Sequence, residues 1–382
     1  MLNIIFYNYL IENGVDESHI ITLQLDDRIN LKYRDPDVLC EYIHSKIIDN
    51  KNYYILLDEV QFVKDFEDVL NFFLHIKNAD VYVTGSNAKF LSSDIITEFR
   101  GRGDQIYLSP LSFKEYFDFC NLDFEDAWNE YSMYGGVPYL LMCKSDEQKI
   151  NYLNSLFNET YIKDIIERNN IKNIDVLEDI LNIISSSVGS LTNPNKLSNA
   201  FKSMKKQNIA PNTIKQYLDY CIDSFLIRKA YRYDVKGKNY IETPLKYYFS
   251  DIGLRNARLG FRQQENYIME NIIYNELIIR GFNVDVGVVT TNEKNENNNY
   301  VRKQLEVDFI CNLGYERYYI QSALNIDSIE KREQEEKSLI NINDRFKKII
   351  IVSNNIKKWK DDKGVLFLGL KDFLTNPDSI KD

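Results

Sequence analysis

Glycine and proline are scarce in this sequence of 382 residues, at 15 and 7. Disordered and collagen-like chains are rich in both. With 44% hydrophobic and 27% charged residues, the composition excludes those classes and fits a globular protein. Cysteine is sparse too. Cys40, Cys120, Cys143, Cys221 and Cys311 are scattered, odd in number and never in C-x-x-C spacing. Neither a disulfide framework nor a cysteine-rich zinc site follows, and a reducing compartment fits. No apolar run approaches the roughly 18 residues of a membrane span, so no membrane partner is expected. The first residues lack a charged n-region and a small-residue cleavage site. They do not read as a signal peptide, and a cytoplasmic location is expected. Positive charge is also in deficit: 47 Lys and Arg stand against 57 Asp and Glu, for a net charge of −10. A global basic field that would attract nucleic acid is excluded, and any DNA contact must come from a local patch.

The length allows two or three domains. Apolar residues recur at helical spacing through Leu2, Ile5, Phe6, Tyr9 and Leu10, and Asn13-Gly14 ends that helix. Strands are predicted at 20–26, 53–59, 80–84 and 104–108, with helices near 36–48, 66–76 and 89–99 between them. The run Tyr53–Glu59 (YYILLDE) is continuously apolar rather than alternating, which predicts a strand covered on both faces. Alternation of strand and helix makes this part α/β. A helical stretch follows to about Ser190, broken once at Gly135-Gly136-Val137-Pro138. Short helices and a strand pair come next, 226–233 and 240–249, around Lys236-Gly237-Lys238. From Gln263 the pattern is α/β again, with strands at 283–289, 305–311 and 318–323. No internal repeat is evident.

Asp58-Glu59 closes the apolar strand. Acids at the C-terminal end of a buried strand sit where open α/β sheets bind ligands. One can hold Mg²⁺ and the next can orient water. Two solvated acids at a strand end are the plain alternative. About 25 residues on, a second buried strand ends in Thr84-Gly85-Ser86-Asn87.

The series LLDEVQ, TGSNAKFLSS, EFRGR, PLSFKEY and YGGVPYLL resembles a prokaryotic AAA-type P-loop ATPase family, whose members carry a C-terminal domain of unknown function. The resemblance covers nearly the whole chain. It implies ATP and Mg²⁺ as cofactors, Asp58 as the metal ligand and Glu59 as the catalytic carboxylate. It further implies Ser86 or Asn87 as the γ-phosphate sensor, with Arg100 and Arg102 near phosphate. The two arginines also suit a fold-holding ion pair.

No G-x-x-x-x-G-K-[ST] occurs anywhere in the chain. In the family a strand and this loop precede the first helix, and Met1–Leu10 reads as that helix already under way. The expectation is therefore an incomplete P-loop sheet from an N-terminally truncated sequence. Without the backbone N–H cradle and its lysine, tight ATP binding is expected only of a longer parent.

Between Lys196 and Lys238 ten Lys and Arg face three Asp, a local excess of seven positive charges. Helix, turn, helix and a hairpin tipped by Lys236 and Lys238 read as a winged helix. Lys215 and Gln216 lie near the start of its second helix, the end that meets base edges. Lys236 and Lys238 on the wing suit phosphate contacts. DNA is the partner this predicts; a basic face docked on the chain's own acidic domains or on a partner protein is the alternative, and a homo-oligomer is the further partner left open.

The C-terminal domain of the family is similar to the PD-(D/E)xK restriction-endonuclease-like fold. That resemblance matches Asp308 to the first acid and Glu270 to the helix acid. The E-x-K positions read Gln321 and Ala323, and no replacement lysine is evident in the sequence. A degenerate nuclease site is the expectation.

The architecture expected is an incomplete P-loop α/β domain (1–111), a helical segment (112–193), a winged helix (194–262) and a PD-(D/E)xK-like α/β domain (263–382). Three functions stay open. One is an AAA-type ATPase that couples nucleotide to DNA or partner binding. The others are a non-catalytic binding protein with a vestigial ATPase domain, and a metal-dependent nuclease.

Overall fold

The computed structural model describes residues 2–85, 103–262, 265–294 and 300–381. Two compact units make up the chain, Met1–Tyr107 and Leu108–Asp382.

The described sheet of the first unit has three parallel strands, β1 (Ile20–Gln24), β2 (Tyr53–Asp58) and β3 (Ala79–Val83), in that order. Tyr53, Ile55, Leu56 and Leu57 of the central strand have no exposed surface. The continuous apolar run has a direct cause in the packing. Ile55 and Leu57 meet the helices Pro36–Lys46 and Phe66–Phe73, while Leu56 packs on the opposite face against Leu10 of the helix Tyr7–Glu12. Pro36 opens its helix as a first-turn residue, and the Asp35 carboxylate accepts the N–H groups of Asp37 and Val38 at 3.1 Å each. The expected strand at 104–108 does not form. These residues are irregular and exposed, and they have no strand partner among the described residues, which leaves their local apolar pattern nothing to pair with. The expected helix at 89–99 lies outside the described residues.

The second unit is built on an eight-stranded sheet. Its strands are β4 (Ile227–Asp234), β5 (Asn239–Phe249), β6 (Asn283–Lys294), β7 (Tyr300–Leu313), β8 (Glu316–Ala323), β9 (Lys347–Val352), β10 (Trp359–Lys360) and β11 (Val365–Gly369). The order across the sheet is β10-β11-β9-β8-β7-β6-β4-β5. Helices between Phe113 and Asp223, together with Glu265–Ile279, pack on one face in a core that runs from Phe113 to Ile380. Leu339 and Ile342, at the end of the helix Ile329–Ile340, belong to the core on the other face.

The hairpin β4–β5 joins this sheet because β4 pairs in parallel with β6. The boundaries expected at 193 and 262 therefore do not divide separate compact bodies: the basic hairpin and the C-terminal strands share one sheet and one core. Within PLSFKEY, Ser112 caps the helix Phe113–Cys120 and Glu115 reaches back to it. The Glu115 carboxylate accepts the Ser112 N–H at 2.8 Å, and Ser112 Oγ accepts the Glu115 N–H at 3.2 Å.

Candidate functional site

Asp58 ends β2 and Glu59 follows with a left-handed backbone, φ 55°, which only a local constraint holds on a residue with a side chain. The constraint is Thr84, just past β3. Its N–H donates to the Leu57 carbonyl at 2.9 Å, its carbonyl accepts the Val60 N–H at 3.0 Å, and its Oγ1 accepts the Glu59 N–H at 3.2 Å. The same hydroxyl donates to Asp58 Oδ1, and Gln61 Nε2 donates to the Glu59 carboxylate. Arg34 lies at the end of β1, but its guanidinium donates to the Leu25 and Asp26 carbonyls at 2.7 and 2.9 Å and rests on the Phe62 ring.

Two carboxylates and a hydroxyl thus gather at the C-terminal ends of parallel strands. Asp58 and Thr84 offer the hard oxygen donors that suit Mg²⁺. For the phosphates of a nucleotide the sequence provides no glycine-rich loop. Ser86, Asn87, Arg100 and Arg102 lie outside the described residues. Thr84 and Gln61 are the residues that sequence reasoning missed. The signal for Thr84 was present, a polar residue at the end of a buried strand, but the reading placed that role two and three residues later. Thr84→Ala is expected to lower unfolding stability by about 1 kcal/mol, the usual worth of such a hydrogen bond, while Thr84→Ser keeps it. Chemical denaturation checks this, and equal stability of the two variants would remove Thr84 as the tie between the strand ends.

The basic segment comes out divided. Lys215 and Gln216 are exposed on the helix Pro211–Asp223, where Gln216 Nε2 donates to Tyr220 Oη at 2.6 Å. Lys238 is exposed beyond the tip of the hairpin. Lys236 is committed, with Nζ donating to the Thr290 carbonyl at 2.7 Å. So is Lys205, paired with Asp179, and Arg232 is buried. The free positive surface is smaller than the count of ten suggests.

The nuclease-like positions contain the largest surprise. Glu270 on the helix Glu265–Ile279 and Asp308 on β7 do meet, and the buried ammonium of Lys246, from β5, lies between them. Its Nζ is 2.7 Å from Glu306 Oε1, 2.9 Å from Glu270 Oε1 and 3.9 Å from Asp308 Oδ1. Tyr248 Oη donates to Glu270 Oε1 at 2.7 Å, and the Ser322 N–H donates to Asp308 Oδ2 at 2.8 Å. A bulge supplies the aim: Asp308 and Phe309 of β7 stand opposite Val286 alone on β6. Burial opposes the Lys246 charge, but Glu270, Asp308 and Glu306 outweigh it and hold its pKa above the ordinary lysine value. Burial and then Glu270 push the Asp308 carboxyl well up.

Two expectations are corrected here. A lysine does serve these acids, and it comes from β5. Gln321 does not face the carboxylates: its Oε1 accepts the Asp308 N–H at 3.4 Å, and its side chain also bonds Glu335. Lys246 escaped notice because one lysine in the run Leu245-Lys246-Tyr247-Tyr248 reads as a solvated strand residue. Its flanking buried aromatics were the usable signal. Among the described residues no group of three or more His, Cys, Asp or Glu side chains is arranged to hold a metal ion.

Against known families, residues 2–117 match the one described as AAA domain, and residues 125–265 match a domain of unknown function (DUF8612). An uncharacterized protein of Haemophilus influenzae is 31% identical over 377 residues, covering 97% of this chain and 89% of that one. The uncharacterized protein MJ1544 of Methanocaldococcus jannaschii is 27% identical over 329 residues, 81% of this chain and 71% of that one. The crystal structure of protein VC1899 from Vibrio cholerae aligns over 96% of this chain and 97% of its own, at 10% identity and a TM-score of 0.24, too slight a likeness to carry an argument. The N-terminal part of the chain is therefore an AAA-type ATPase-like domain. The chain as a whole belongs to the same family as the Haemophilus influenzae protein.

Proposed function

We propose that this protein is an AAA-type ATPase-family switch, in which nucleotide and Mg²⁺ at the first unit govern binding of DNA by the second. The gathering of Asp58, Glu59 and Thr84 at the strand ends carries the reading. Asp58 with Thr84 would hold the ion and Glu59 would orient water. A bound nucleotide would bring its own phosphoanhydride bond. The exposed Lys215 and Gln216 near the start of the helix Pro211–Asp223, with the exposed Lys238 of the hairpin, support DNA as the partner; a winged helix that presents the start of Pro211–Asp223 is the arrangement this assumes.

The test is duplex DNA binding with and without Mg²⁺-ATP. Lys215→Glu with Lys238→Glu is expected to weaken binding at least about tenfold and to flatten its salt dependence. Asp58→Ala is expected to abolish any response to Mg²⁺-ATP. DNA binding that ignores the charge reversals would remove DNA as the partner. The second reading is a non-catalytic binding protein, favoured by the missing G-x-x-x-x-G-K-[ST]. DNA binding that depends on Lys215 and Lys238 but never responds to Mg²⁺-ATP would establish it.

A further inference from the structure

A groove of about 470 Å³ opens in the second unit where β9 and β11 begin and β10 ends. Five cations line it, Arg345, Lys347, Lys348, Lys360 and Lys363, against one acid, Asp344. The chain as a whole carries −10, so this gathering runs against its average. Local structure holds the cations in place. Asp344 accepts the Phe346 N–H at 3.1 Å and the Tyr319 hydroxyl at 2.6 Å, which sets the turn before β9. Asp361 sets the turn before β11: its N–H donates to the Val365 carbonyl at 3.0 Å, and its carboxylate accepts the Val365 N–H at 2.6 Å. Gly364, with φ +85°, completes that turn, and a Cβ there would stand 3.7 Å from Lys360 Cε. The Trp359 ring stacks on Phe367 at 4.2 Å and pins β10 to β11.

The charges in the groove do not cancel. Lys363 is paired with Glu336 at 2.6 Å. Lys347 and Lys348 donate to the carbonyls of Lys381 and Ile342, which satisfy hydrogen bonds but remove no charge. Arg345 and Lys360 are exposed, and among the described residues no acid pairs with either. Four uncompensated cations against Asp344 leave an excess of three positive charges. We infer that this groove binds a small molecule carrying two linked phosphate groups. The Arg345 guanidinium offers the planar fork that takes phosphate oxygens in pairs, and the lysines add point charges. A single phosphate brings at most about two negative charges, too few for the excess. The cations surround a concavity of small-ligand size, within the roughly 300–1,000 Å³ usual for such sites, rather than lying along an open stripe. Phe346 and Leu366 give the organic part of the ligand an apolar wall. The site is separate from Asp58 and from Lys215 and Lys238, and does not depend on the role proposed for them.

Inorganic pyrophosphate is the probe, titrated calorimetrically into the full chain at low salt in EDTA, with orthophosphate as the comparison. EDTA removes any Mg²⁺ that Asp58 would hold. One site is expected, with pyrophosphate bound at least about tenfold more tightly than orthophosphate. Arg345→Glu with Lys360→Glu should weaken pyrophosphate at least about tenfold. Lys215→Glu with Lys238→Glu should leave it unchanged. Both groove side chains are exposed, so the thermal melt should stay where it is. Arg345→Gln with Lys360→Gln repeats the test if the charge reversal does not fold. Equal affinity for the two anions would overturn the inference. So would no binding at millimolar pyrophosphate, or binding that persists undiminished in a folded groove variant. Duplex DNA that displaces pyrophosphate, and is itself weakened by the same two substitutions, would also overturn it, because the groove would then be a nucleic-acid surface.

Discussion

Gly135→Ala is expected to destabilise the second unit by roughly 3–6 kcal/mol, counting one strained backbone position and one or two lost charge-assisted hydrogen bonds. Gly135 has φ 79° and ψ −164°, a region open essentially to glycine alone. An added Cβ would lie 2.2 Å from Asp251 Oδ1 and 2.6 Å from Oδ2. The carboxylate cannot swing away cheaply: it is buried, and it accepts the Gly136 N–H at 2.7 Å and the Leu254 N–H at 3.2 Å. Gly136 is confined by backbone instead, its missing Cβ falling 2.2 Å from the Leu111 carbonyl, while the Leu111 N–H donates to the Gly136 carbonyl at 2.8 Å. The motif YGGVPYLL thus has a packing cause. Two glycines let a loop lie against the Asp251 carboxylate and against Leu111. A thermal melt that falls by about 10 °C or more, or a chain that fails to fold, is the expected reading. A melt within about 2 °C of the parent would mean that the loop relaxes freely and that this account of the motif is wrong.

How much of this was legible in the sequence depended on the range of the interaction. The run YYILLDE announced β2, since burial on both faces removes the polar alternation, and the acids at its end announced the strand terminus. The strands at 283, 305 and 318 were equally local and were read within a few residues of their bounds, though each runs longer. What failed was long-range. Nothing in the hairpin Ile227–Phe249 states that β4 will pair with Arg232 against Val286, because parallel pairing leaves its signal in the partner. The strand Lys347–Val352 carries the same local signal as β2, since Ile349 and Ile351 pack on one face of the sheet and Ile350 and Val352 on the other. Lys246 was misjudged for a physical reason: its type is almost always solvated, and only three acids brought from two other elements make its burial tolerable. Gln321, one position on a strand, was assigned by spacing alone, and spacing does not say which face of the sheet a side chain takes.

The contribution of Asp251 to the stability of the second unit is expected to fall as pH rises from about 4 to above 6, opposite to the usual behaviour of a paired carboxylate. Asp251 is the cause. Burial raises its carboxyl to about 6 from an ordinary 3.8, against the opposing pull of the Gly136, Leu254 and Gly253 N–H groups, which favour the charged form. A carboxyl whose folded value lies above its unfolded one binds its proton more tightly in the folded chain. Its contribution is therefore fully present below about pH 3.8 and lost as pH climbs through about 6. A gap of roughly two pH units corresponds to about 3 kcal/mol. Tyr131, which shares a small cavity with Asp251 and Arg228, is raised far above neutrality by burial and is silent in this window. The measurement is a difference, so that only Asp251 contributes to it. Asp251→Asn keeps the shape and does not titrate. Parent minus variant stability, from urea unfolding at pH 4 and at pH 7.5, should drop by about 3 kcal/mol, and groups distant from Asp251 cancel. A difference that stays constant within about 0.5 kcal/mol would mean that Asp251 is charged throughout, held by its three N–H donors more strongly than burial penalises it. In that case the glycine loop would bind a permanent carboxylate, and Gly136→Ala would be expected to cost the same at pH 4 and at neutral pH, because the acceptor that loses the Gly136 N–H is charged at both.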